Sequence, residues 1–203
     1  MMLMDNSWGE SVIKKALQYA NHTWTACEQN LLHGVDPDGR RVDTPDVTWQ
    51  GEYLNCGWWR IGEVNTGIPY AWGRVSTIEE FDAGIKAGKL AGNVPEDKKQ
   101  PVSYHAVGVD CSGLLTICWE LPNKIATRDI PKYADVVVSL PDISQGDIFA
   151  KIGSHAMFFI EFASADMTEA LIVDATRSTG KVSVRKIDVA ELLKNGYRIY
   201  RKK

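Results

Sequence analysis

Three residues have types and settings that suit acyl chemistry through a thiol: Cys111, His155 and Asp174. Cys111 falls where the spacing predicts the start of a helix, with Asp110 as N-cap. Unpaired backbone N–H groups and the positive end of the helix dipole then point at its sulfur and favour a thiolate. An isolated cysteine equally suits a buried, inert role, and Cys118, inside the apolar stripe of the same helix, is read that way. His155 follows the turn Gly153-Ser154 and opens the apolar run Ala156-Met157-Phe158-Phe159-Ile160. An imidazole at a strand end serves either as a base or as a satisfied structural group. Asp174 is embedded in Leu171-Ile172-Val173-Asp174-Ala175, where a carboxylate is costly to bury without a hydrogen bond or a cation. An imidazole on the neighbouring strand is the expected partner, which would give the order nucleophile, base and orienting group.

The elements that must hold these groups follow from periodicity and capping. A first helix is marked by Ser7 and Glu10 as a capping box and by Val12, Ile13, Ala16, Leu17 and Ala20 on one face. Residues 32–50 lose the period and are rich in turn formers, which predicts a long loop. A second helix is expected over 56–64, stopped by Gly67-Ile68-Pro69, and a third over 76–91 with Ser76 and Glu79 as its capping box. The helix from Asp110 and Cys111 carries Leu114, Leu115, Ile117 and Leu121 inward and ends before Pro122. Thereafter 147–152, 155–162, 171–175 and 181–185 read as consecutive antiparallel strands, followed by a short helix over 188–194 and a last strand over 197–201. Helices first and strands later predict an α+β fold without a βαβ series.

Four segments in order carry a family resemblance: Gly67-Ile68-Pro69-Tyr70-Ala71-Trp72-Gly73, Val109-Asp110-Cys111-Ser112-Gly113-Leu114-Leu115, Gln145-Gly146-Asp147-Ile148-Phe149 and Ser154-His155-Ala156. Together, across residues 57–185, they resemble the NlpC/P60 family of cysteine peptidases. The resemblance implies a papain-like core with Cys111 as nucleophile, His155 as general base and a polar residue on the next strand orienting the imidazole. That residue is usually His, Asn or Gln in the family, and Asp174 stands at the aligned position here. Tyr70 matches a tyrosine beside the nucleophile that positions substrate or stabilises an oxyanion. Asp110 and Ser112 match positions lining the subsite for the substrate's amino end, although Asp110 is equally accounted for as a helix cap. The implied substrate is a peptidoglycan stem peptide or muropeptide fragment, cut for example after D-γ-glutamate, with no metal or organic cofactor. Where the family has a short connection, residues 74–109 form an insertion, read either as a wall or lid of the cleft or as surface decoration. The expected organisation is an N-terminal extension over 1–56 and a catalytic part over 57–203, forming one compact unit.

Composition bounds the remaining readings. Hydrophobic residues make up 44% and charged residues 24% of the 203-residue chain, which excludes disordered and fibrous classes. A net charge of −3 supplies no overall attraction to nucleic acid or anionic membranes. No stretch approaches the ~18–20 apolar residues of a membrane span. Met1-Met2-Leu3-Met4-Asp5-Asn6 lacks the pattern of an export signal, so the place of action stays open between the cell envelope and the cytoplasm. The cysteines at 27, 56, 111 and 118 fit neither a disulfide scaffold nor a zinc site, and Cys27 and Cys56 are either bridged or two reduced thiols. Trp24, Trp49, Trp58 and Trp59 serve packing or stacking on a sugar or peptide. Two other functions compete with the peptidase reading: an amidase or acyltransferase on a lipid or small-molecule amide, and a binding module for wall fragments without turnover.

Overall fold

A computed structural model describes residues 7–51, 57–95 and 99–203. The chain begins with helix α1 (Ser7–Asn21), whose Val12, Ile13, Ala16, Tyr19 and Ala20 are buried along one face, as the 3–4 residue period demands. A loop-rich stretch follows, held by very short pairs. Strand β1 (Thr23–Thr25) pairs with β4 (Val64–Thr66), and β2 (His33–Val35) forms a hairpin with β3 (Arg41–Asp43). Helix α2 (Ile78–Lys86) leads to the parallel pair β5 (Leu90–Ala91) and β6 (Ala106–Val107). Helix α3 (Cys111–Cys118) and the short α4 (Ile130–Tyr133) precede the main sheet.

That sheet contains β7 (Ala134–Val137), β8 (Ile148–Lys151), β9 (His155–Phe162), β10 (Glu169–Thr176), β11 (Lys181–Asp188) and β12 (Arg198–Lys202), with α5 (Val189–Lys194) inserted before the last strand. Its order is β11-β10-β9-β8-β12-β7, antiparallel throughout. The fold is therefore α+β. The near-continuous apolar run in β9 has a direct cause, since both faces of the sheet are covered. Ala156 and Phe158 join Val173, Ala175 and the inner faces of α1 and α3, whereas Met157 and Phe159 join Ile172, Ile199 and Val189 of α5 in a second cluster. No helix among the described residues is long and apolar enough to cross a membrane.

Several expectations require correction. Residues 57–64 form no helix: Trp59 bridges to Asp46 and Ile61 to Ala26, and β4 follows. Gly62 takes a φ of 76°, and the Asn65 side chain binds Arg60 N and the carbonyls of Arg60 and Glu63, which closes a turn where a helix would otherwise propagate. The expected loop over 32–50 contains the β2–β3 hairpin, with the Asp36 carboxylate accepting from Asp38 N and Arg40 N at its tip. The capping box of α2 lies one residue later than expected, at Thr77 and Glu80, while the Ser76 hydroxyl is buried and accepts from Gly108 N. That helix stops at Ala87, well short of residue 91. Strand β7 was not expected at all.

Three of the tryptophans of the loop-rich part, Trp24, Trp58 and Trp59, are packing and anchoring residues. Trp24 meets Trp58, Trp59 and Phe81 edge-on, and the indole N–H groups of Trp24, Trp58 and Trp59 donate to the carbonyls of Gly67, Gly180 and Ala91. Cys27 is exposed. Cys56 lies outside the described residues, and the Cys27–Cys56 pairing with it.

Candidate active site

One wall of the main cleft is the start of α3. The Asp110 carboxylate caps this helix, accepting from Gly113 N at 2.6 Å, and its other oxygen accepts from Gly73 N at 2.9 Å, which ties the Gly67–Gly73 segment to the helix start. Ser112 Oγ donates to the same carboxylate at 3.0 Å. The glycine at 113 is required by close approach: a Cβ there would lie 2.2 Å from the Arg74 carbonyl oxygen. Cys111 is the first residue of the helix and half-buried, and neither it nor Ser112 has an intrahelical acceptor for its backbone N–H. Tyr70 is placed alongside by its N–H bond to Gly180 O and by bridging Val109.

The opposite wall is the sheet. His155 is the first residue of β9, delivered by the turn through Gly153, whose φ is 75°. Its Nε2 lies 2.6 Å from Asp174 Oδ2. Cys111 lines the same cleft as the imidazole, and its negative charge is felt there. Asp174 is wholly buried in β10 and receives a bidentate contact from Arg185 of β11, Nη2 at 2.7 Å and Nε at 3.1 Å. The register explains this contact, because Arg185 lies directly across from Ile172, two residues before Asp174 and on the same face.

Burial and charge set the protonation states. Burial alone would lower the pKa of His155, but the negative charge of Cys111 and the hydrogen bond and charge of Asp174 outweigh it and push the imidazole up to about 10. For Asp174 burial acts upward, and the bonds and charges of His155 and Arg185 still hold the carboxyl below its ordinary range. Burial, reinforced by Asp110 and Cys111, raises Tyr70 well above a free phenol, so it stands as a neutral O–H donor. Tyr197 is raised by burial and then by Asp174 and Cys111.

All six residues singled out from the sequence, Tyr70, Asp110, Cys111, Ser112, His155 and Asp174, are in this one region. All but the deeply buried Asp174 line a cleft of about 700 Å³. The sequence reading missed Arg185, Lys124 and Tyr197. Lys124 Nζ lies 3.1 and 3.2 Å from the two Asp110 oxygens and 3.0 Å from Ser112 Oγ. No local pattern marks a lysine in the loop after Pro122. Arg185 was visible only as a polar residue on a strand, and its contact with Asp174 depends on register. The described part of 74–109 does not line the cleft. It packs behind it, where Pro95 O accepts from Arg177 at 2.6 Å and Gln100 O accepts from the Trp72 indole at 3.2 Å. Comparison with known families, curated proteins and solved structures finds no match to this chain. The arrangement itself offers a thiol at a helix start, an imidazole oriented by a buried carboxylate, and unpaired N–H groups beside the sulfur, the parts that nucleophilic acyl transfer requires.

Proposed function

We propose that this protein is a cysteine hydrolase with a papain-like core of the NlpC/P60 type, cutting an amide bond in peptidoglycan stem peptides. The observation that carries the reading is that Cys111 and His155 line one cleft, with the imidazole bonded at 2.6 Å to the buried Asp174 carboxylate and its pKa raised by the charge of Cys111. The order of the motifs around Tyr70, Cys111 and His155 supplies the family and the substrate class.

In this reading the Cys111 thiolate attacks the scissile carbonyl carbon. The tetrahedral oxyanion is stabilised by backbone N–H groups at the start of α3 and by the neutral Tyr70 hydroxyl on the cleft wall. The imidazolium of His155 gives its proton to the leaving amine, and the C–N bond breaks to leave a thioester on Cys111. Water then attacks the thioester, His155 takes the water's proton, and the C–S bond breaks to release the carboxylic acid and restore the thiolate–imidazolium pair. Asp174 touches no reacting atom; it keeps the imidazole in orientation and favours its charged form.

The test is incubation with purified muropeptides, with mass spectrometry of the products and of the intact protein. The expected result is release of a new amine by the wild type and an acyl adduct on Cys111, neither of which occurs in Cys111→Ala. Product release that survives Cys111→Ala, or Cys111 alkylation that is indifferent to His155→Ala, would overturn the thiol mechanism. Turnover confined to lipid or small-molecule amides would retain the mechanism and discard the wall substrate.

A further inference from the structure

The charges lining the cleft are unbalanced in a way that selects substrate. Among the described residues, two carboxylates, Asp110 and Asp174, bound the cleft region, against the cations Lys124, Arg128 and Arg185. Both carboxylates are already engaged within the chain. Asp174 is 0% exposed and held by His155 and Arg185, and Asp110 is 5% exposed and shared among Gly73 N, Gly113 N, Ser112 Oγ and Lys124. The ammonium of Lys124 therefore sits where the family resemblance would put a substrate's amino end, on Asp110 and Ser112 together. A substrate ammonium arriving there would meet another cation at a carboxylate whose acceptor positions are filled, a like-charge contact that disfavours binding.

We infer that the cleft takes an acyl substrate carrying an anionic group, a carboxylate or a phosphate, beside the scissile bond, and that Lys124 is the specificity residue that turns away a free amino end. The inference rests on the thiol-hydrolase reading above and sharpens its substrate class: a fragment with a blocked amino end and a nearby carboxylate fits, and one with a free amino terminus does not. Arg128, exposed and lining the same cleft, adds to the positive field there.

The experiment needs no substrate. The intact protein is treated with two methanethiosulfonate reagents of similar size, one bearing a sulfonate and one a trimethylammonium. Each transfers its thioalkyl group to a thiolate, forming a disulfide and releasing methanesulfinate. Adducts at Cys111 and at the exposed Cys27 are followed separately by peptide mass spectrometry, so that Cys27 serves as an internal reference. The expected anionic-to-cationic rate ratio at Cys111 is about tenfold above that at Cys27, falling by about tenfold in Lys124→Ala and a few-fold in Arg128→Gln, with Lys124→Arg close to the wild type. A wild-type ratio equal to that of Cys27 overturns the inference without the need of any variant. So does a Lys124→Ala ratio equal to that of the wild type. In both cases a reactive, His155-dependent Cys111 leaves the thiol reading standing. If Cys111 reacts with neither reagent, the thiol reading falls and takes the inference with it.

Discussion

The helix wall and the sheet wall of the cleft each bury a carboxylate, and they stabilise it by different means. Asp110 is held largely by fixed neutral donors, the backbone N–H groups of Gly73 and Gly113 and the hydroxyl of Ser112, with Lys124 added from a loop. Asp174 is held by charged side chains, His155 and Arg185, one of which titrates. A carboxylate fixed by backbone amides is a positioning device that follows the local fold. A carboxylate fixed by an imidazole and a guanidinium couples the proton state of the site to the stability of the strands that carry it. The helix wall thus presents the sulfur, and the sheet wall governs the proton.

The largest effect expected from breaking this pairing is at the sulfur itself. Cys111→Ala should lower kcat/KM by about 10⁴-fold or more, and His155→Ala by a similar factor, because groups that act as a unit fail together. Neither wall's buried carboxylate is touched by the first change, so its unfolding free energy should remain near that of the wild type in a urea titration. The next largest effect separates the walls. Asp174→Ala leaves Arg185 beside an uncompensated buried site and should cost about 3–5 kcal/mol of stability. Asp110→Ala removes a helix cap and an ion pair whose lysine side chain keeps 26% of its surface exposed, and should cost about 1–2 kcal/mol. Equal losses in the two variants would mean that the walls are not held differently.

The pH dependence sharpens the same contrast. The folded pKa of His155, about 10, lies above its unfolded value near 6.5. The stability it contributes is therefore fully present below about pH 6.5 and is lost as pH rises through about 10. Asp174 is shifted downward, so its contribution is present above the ordinary carboxyl range and lost as pH falls through its folded value. Unfolding free energy measured from pH 6.5 to 10 should fall in the wild type, and His155→Gln should flatten that fall. In Asp110→Ala the slope should persist, because Asp110 is not among the groups that shift the imidazole.

What the sequence made legible divides along similar lines. Helix α3 and its Asp110 cap, and strands β8 to β11, are written in local patterns: a capping residue before an apolar stripe, and short apolar runs between Gly and Ser turns. A buried Asp174 demanded a partner, and its neighbour-strand imidazole supplies one. Arg185 could not be foreseen because its place beside Asp174 depends on the β10–β11 register, a non-local quantity. Ser76/Glu79 and Thr77/Glu80 satisfy the same capping pattern one residue apart, and only the Ser76 bond to Gly108, far along the chain, decides between them. Strand β7 was invisible because it is an edge strand with Val136 exposed and lacks the alternation that burial would impose. The pairs β1–β4, β2–β3 and β5–β6 are two or three residues long, too short for any period to register.

The smallest effect tests the helix wall alone. Ser112→Ala removes one donor from Asp110 and one acceptor from Lys124, while both backbone bonds to the carboxylate remain. A net hydrogen bond of this kind is worth about 1 kcal/mol, which corresponds to about 2–4 °C in the melting temperature of a chain of this size. Because Lys124 still reaches both Asp110 oxygens, the charge preference of Cys111 toward the paired thiol reagents should be unchanged. A loss as large as that of Asp110→Ala would instead mean that the hydroxyl, and not the helix-start amides, holds the carboxylate in place. The rigidity assigned to the helix wall would then belong to a side-chain network of the same kind as the one across the cleft.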